Sequence, residues 1–183
     1  LMKAAVARGV EPAQIAQHCD SVSLCFSQGL GALSGAVLAG CKAWRVWKLL
    51  AGGMRQVGVL VAAAHLRLQR AEVTLRRDHN NAWRFAEGIH VQDSPLWSIN
   101  LAAVETNIVM VNVQRAWLSP TELCNRLRAI SEEEVAETRQ AVSFLLLSWS
   151  AQTVHTVWHH NISACDTELA RRNLKFVARR CQE

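Results

Sequence analysis

Residues 20–40 read DSVSLCFSQGLGALSGAVLAG, and the fold turns on this stretch. Val22, Leu24 and Phe26 alternate with Ser21, Ser23 and Cys25, the period of a strand with a buried face. The run breaks at Ser27-Gln28 into a loop carrying Gly29, Gly31 and Gly35, and a second apolar run, Ala36 to Ala39, closes at Gly40. The expectation is two short strands around a glycine-rich bend with Gln28 at its apex. Cys25, among apolar neighbours, reads as a small core residue.

Working outward, residues 1–7 are helix-prone and Gly9 ends them, while Pro12 opens a turn of helix running to His18. After the bend, CKAWRVWKLL at 41–50 is amphipathic, and Trp44, Trp47 and Leu50 form a stripe expected in the core. Gly52-Gly53 breaks the chain. Residues 57–68 predict an apolar helix buried on most sides, and 73–89 a second helix. Beyond a loop at 92–98 the pattern gives a β-branched strand, IVMVNV, at 108–113. A helix opens at Pro120 with Ser119 as N-cap. Another helix starts at Glu132, strands follow at 142–149 and 153–158, and a closing helix spans 166–180. The order βαα followed by β-α-(α)-β-β-α predicts a small α+β layer in the second half, with a domain boundary near residue 72.

At 183 residues, half of them hydrophobic and 19% charged, the chain suits one ordinary domain or two small ones. The net charge of +5 comes from scattered arginines, such as Arg67, Arg70, Arg76 and Arg77, or Arg171, Arg172, Arg179 and Arg180. No aromatic-interleaved basic stripe accompanies them, which argues against a nucleic-acid partner. Six cysteines without a close CxxC pair exclude a zinc ribbon or dithiol site, and with no signal peptide they point to a reduced, intracellular compartment. No apolar run is long enough for a spanning helix.

Few constellations carry chemistry by spacing alone. His155, His159 and His160 cluster, but Thr156, Val157 and Trp158 stand where a metalloprotease helix needs its glutamate. On a strand, positions 155 and 159 lie about 13 Å apart, too far for one ion. No metal is expected. His79 beside Asp78 does not face it on a helix. Glu132, Glu133, Glu134 and Glu137 read as a solvated helix start. Ser27 and Ser34 sit in no G-x-S-x-G elbow, and no phosphate-binding G-x-x-x-x-G-K-[ST] pattern is present.

Five ordered segments nevertheless form a pattern: DSVSLCFSQGLGALSGAVLAG at 20–40, AGGMRQVG at 51–58, DHNNA at 78–82, VETNIVMV at 104–111 and VWHHNIS at 157–163. Across essentially its whole length the chain resembles the low-specificity L-threonine aldolases, pyridoxal-phosphate lyases of the aspartate-aminotransferase fold (fold type I). The resemblance implies an α/β fold: the C-terminal part of a large cofactor-binding domain at 1–72, then a small α+β domain at 73–183. It also implies cleavage of L-threonine or L-allo-threonine to glycine and acetaldehyde, with the cofactor held as a Schiff base by a lysine in S-K-G-L-G.

In this chain the lysine position is Gln28, and an amide nitrogen forms no Schiff base. No nearby lysine is expected to compensate, since Lys42 and Lys48 lie beyond the second strand. His155 stands where the family's arginine grips the substrate carboxylate. An imidazole there replaces a charged bidentate fork whose bonds are worth about 1.5–3 kcal/mol each. Leu33, Ser34, Ala36 and Ala51 also depart from the family pattern, whereas Arg55 matches an arginine near the cofactor phosphate. The family's upstream H-L-D-G-A-R segment would end just before Leu1. The expectation is thus an inactive, truncated aldolase-like protein, the product of a decaying gene, without covalent cofactor. The alternatives are a fragment of an active aldolase and a non-catalytic subunit joined to an intact one. Family members are homo-oligomers. A cytoplasmic location is expected, with mitochondrial targeting left open.

Overall fold

The computed structural model describes residues 1–40, 42–50, 53, 55–92, 94–115 and 117–181. Ala51, which stands for a family glycine, and the side chain of Trp44 lie outside the described residues. The chain divides into two compact units, Leu1–Arg77 and Asp78–Glu183, and the division falls inside a helix.

In the first unit, α1 (Met2–Arg8) stops at Gly9, which takes the left-handed conformation at φ 64° that a β-carbon disfavours. Pro12 opens α2 (Pro12–Ala16), and a capping box links Glu11 with Gln14. The stretch at 20–40 forms an antiparallel hairpin, β1 (Ser21–Cys25) on β2 (Ala36–Gly40), with Ser21 opposite Gly40 and Cys25 opposite Ala36. Then come α3 (Ala43–Leu49), α4 (Gly58–Gln69) and the start of α5 (Ala71–Val91). The buried cluster is small: Leu30, Ala71 and Leu75, flanked by Met2, Val6, Leu24, Phe26 and Leu68.

Three expectations fail here for one reason: this unit has too few partners to cover its apolar side chains. Trp47 and Leu50, assigned to a core stripe, are 43% and 75% exposed. Of α4, expected to be buried on most sides, only Ala64 is buried, and Val59, Val61 and Leu66 are exposed. Cys25 is half-exposed.

The second unit is better filled. Its sheet is antiparallel throughout, in the order β3 (Trp97–Ser98), β4 (Ile108–Val113), β6 (Thr153–Val157), β5 (Leu147–Ser148). The two-residue β3 falls in what the sequence pattern gives as a loop, since a strand that short shows no alternation. Strand β5 is likewise much shorter than 142–149. Val109, Val111 and Val113 of β4 and Val154 and Thr156 of β6 point to the buried side. Against them pack Phe85 and Ile89 of α5, Leu123 and Leu127 of α6 (Pro120–Arg128), and Leu174 and Val177 of α8 (Ala164–Arg180). Phe85 is fully buried, with its ring 4.5 Å from Trp158 and 5.6 Å from Phe144.

Several polar groups inside this unit are bonded to backbone or to one another. Asn107 and Trp158 exchange bonds, the Asn107 amide donating to the Trp158 carbonyl and the Trp158 N–H to the Asn107 carbonyl at 2.9 Å. Trp158 Nε1 donates to Thr167 Oγ1 at 3.0 Å, and Asn81 donates to the Ile162 carbonyl at 3.1 Å. The loop between β6 and α8 is therefore held at both ends. Ser119 and Ser163 cap α6 and α8.

Glu134 departs from the solvated helix start expected of it. It lies on α7 (Glu132–Thr138), is 1% exposed, and accepts a bond from buried Asn173 on α8. Glu132 and Glu133 stay in solvent, so α7 turns its third glutamate toward α8.

Phe85→Ala removes the centre of this packing and should destabilise the second unit by about 3–5 kcal/mol in chemical denaturation. Hydrogen exchange should show strong amide protection in β4, β6 and α8 and weak protection at 21–40, where burial is sparse.

Candidate functional site

The loop joining β1 to β2 is built by backbone bonds and glycines. Phe26 N–H donates to the Gly35 carbonyl at 2.9 Å, Ala32 N–H to Phe26 at 2.9 Å, and Gly31 N–H to Ser27 at 3.2 Å. Gly29, Gly31 and Gly35 adopt φ of 88°, 70° and 102°, values that other residues rarely take. Leu30 is buried against Ala71 and Leu75, which pins the loop from below. Gln28 is left exposed in the turn beside it.

One side chain sits over this loop that sequence reasoning missed. A β-carbon at Gly29 would lie 2.7 Å from Lys3 Cε and 3.6 Å from Lys3 Nζ. The expectation that no nearby lysine compensates for Gln28 weighed only Lys42 and Lys48, and the structure adds Lys3 to the residues near the loop. Nothing in the spacing could have revealed Lys3, because the approach depends on how α1 docks against the loop.

Cys25 faces the same bend. Its thiol is held below the ordinary range, chiefly by the Ser27 hydroxyl at 3.2 Å and then by the N–H groups of Gln28 and Ser27. Each of these donors favours the thiolate. Cys124 is shifted the opposite way, because burial penalises its charged form.

Arg55 also belongs to the first unit. It is exposed, precedes α4, and has no hydrogen bond or ion pair among the described residues. Its neighbour Gln56 holds a positive φ of 57°. His155 belongs to the second unit. On β6 it lies opposite Met110 and Leu147, on the sheet face away from the core, with the Trp149 ring 5.3 Å away. In that unit a cavity of about 700 Å³ lies between the end of α5 and α8 and is lined by residues that include Gly88, Arg171, Arg172 and Lys175 but not His155. Among the described residues no group of three or more His, Cys, Asp or Glu could hold a metal ion. No helix among them is long and apolar enough to cross a membrane.

The profile of the beta-eliminating lyase family matches residues 1–116. The chain belongs to that family. Two Arabidopsis thaliana proteins, named a probable low-specificity L-threonine aldolase 2 and a low-specificity L-threonine aldolase 1, are 36% and 35% identical to this chain over 173 and 171 residues. The matches cover 92% and 91% of this chain and 45% and 44% of theirs. They place it with the low-specificity threonine aldolases, of which it spans less than half the length.

Among solved structures, a Listeria monocytogenes chain assigned as an L-allo-threonine aldolase superposes with a TM-score of 0.67 at 18% identity, over 96% of this chain and 49% of that one. An aminotransferase from Streptoalloteichus hindustanus gives 0.61 at 16%, over 90% and 53%. The fold is that of the pyridoxal-phosphate enzymes of fold type I, and pyridoxal phosphate is the family's cofactor.

The residues at the loop do not fit covalent attachment of that cofactor at position 28. Gln28 carries an amide, which does not condense with an aldehyde.

Because the thiolate is the reacting species, iodoacetamide should alkylate Cys25 faster than Cys124, with the rate rising through a midpoint below the usual thiol range. Ser27→Ala should move that midpoint upward, as read by mass spectrometry against pH.

Proposed function

We propose that this chain is a threonine-aldolase-like protein that turns over little or no L-threonine or L-allo-threonine. The observation that carries the reading is Gln28, exposed at the apex of the loop where the resemblance sets the family's Schiff-base lysine. When bound, the cofactor supplies an electron sink for Cα–Cβ cleavage. A side chain that cannot bond to its aldehyde leaves that chemistry without an anchor.

The same reading takes residues 1–72 as part of a cofactor-binding domain and 73–183 as the small domain. Arg55 becomes a phosphate contact, and its exposure, with no partner among the described residues, suits that role. His155 holds the position of the carboxylate-gripping arginine. Its place on the open sheet face leaves it accessible to an anion, without the paired donors of a guanidinium. The reading places the protein in the cytoplasm, as the product of a decaying gene.

A second reading, a non-catalytic subunit that joins an intact aldolase, is favoured by the apolar surface of the first unit. Leu38, Val46, Trp47 and Leu50 line one shallow cavity of about 640 Å³, and surface of that kind marks association.

The purified chain with pyridoxal phosphate and either threonine isomer should release no glycine above the protein-free background. Sustained release would overturn the first reading. Co-purification of a full-length aldolase subunit with the tagged chain would establish the second.

A further inference from the structure

The cavity of about 700 Å³ between the end of α5 and α8 has a row of cations along one wall. Glu168, Arg171, Arg172, Lys175 and Arg179 are spaced i, i+3, i+4, i+7 and i+11, so one face of α8 turns them all toward it. Glu168 serves two of them. It accepts from Arg171 Nε at 2.9 Å and Nη2 at 2.7 Å, and from Arg172 Nε at 3.3 Å. Arg179 pairs with Glu137 of α7. Lys175 is exposed and has no hydrogen bond or ion pair among the described residues. Four cations set against Glu168 and Glu137 leave two positive charges in this wall uncompensated among the described residues.

The wall is also held in place. Gly88 stands inside α5, where a glycine weakens a helix, and Arg171 supplies the reason for it. A β-carbon at Gly88 would collide with Arg171 Cδ and lie 3.3 Å from Nε and Nη1. The Arg171 stem therefore crosses α5 against its backbone, and Glu168 fixes the guanidinium at two points, leaving Nη1 as an unused donor. Arg172 keeps both terminal nitrogens unbonded among the described residues. Val91, Pro95 and Ala178 give the same cavity an apolar side. Glu87 lines a separate, smaller cavity with Arg84.

We propose that this cleft binds a phosphate monoester, with the phosphoryl group on Lys175, Arg171 and Arg172 and the organic body against Val91, Pro95 and Ala178. A phosphate monoester carries a charge of about −1.5 to −2 at neutral pH, which matches the surplus. Guanidinium groups present paired N–H donors to its oxygens, and a lysine adds a point charge. The volume suits a small ligand. This site lies wholly within the second unit and does not depend on the reading of Gln28.

The full chain, isotope-labelled, is titrated with phenyl phosphate at low salt and followed by its amide resonances. Saturable shifts confined to the end of α5 and to α8 are expected. Benzoate, which has the same ring and a single charge, should bind several-fold more weakly. Lys175→Met should weaken phenyl phosphate by about tenfold. Gly88→Ala keeps every charge but displaces the Arg171 stem, and it should weaken binding too, whereas Lys48→Met in the first unit should leave it unchanged. Shifts that stay linear in concentration or spread over the basic surface overturn the proposal. So does an affinity that Lys175→Met leaves unaltered, or benzoate binding as tightly as phenyl phosphate.

Discussion

The burial of Leu30 against Ala71 and Leu75 holds the first unit together where it matters. Hairpin loops of this length have many conformations, and the glycines at 29, 31 and 35 widen that choice. One apolar side chain under the loop removes most of the freedom, because Leu30 cannot leave its contacts without exposing the small cluster that also receives Met2 and Val6 from α1. The loop and the helix beside it thus share one anchor, and their geometry follows from it.

The second unit depends on a different constraint. Its core fills the contact between sheet and helices, and Asn107 and Asn81 bond to backbone at either end of the β6–α8 loop. Burial scales with the number of elements that meet, so the two units differ in kind. Phe85 disappears completely into one, while Trp47 stays in solvent on the other although its sequence neighbourhood is just as apolar.

That contrast shows what the sequence could and could not disclose. Local signals were readable: the alternation in 21–26, Gly9 as a helix stop, Pro120 with Ser119 as its cap, the β-branched run of β4 and the closing helix. The glycine bend and its apex at Gln28 were readable too, and the family resemblance with them. Signals that depend on a partner were not. An apolar stripe on α3 or α4 looks the same whether or not anything covers it. Glu134 looks like its exposed neighbours until Asn173 meets it. Cys25 looks like a core residue until the backbone curls two N–H groups toward its sulfur. Lys3 sits far from the bend in sequence, and only the docking of α1 brings it near.

The exposure of Gln28 has an evolutionary consequence. The turn is shaped by residues on both sides of position 28, and that side chain is exposed. Exchanges at such exposed positions usually change stability by less than about 0.5 kcal/mol. The side chain at the apex therefore adds little to the architecture, and selection on chemistry is what keeps a particular one there. A chain released from that selection could lose its lysine in one step and keep its shape, so folding would leave no record of the loss.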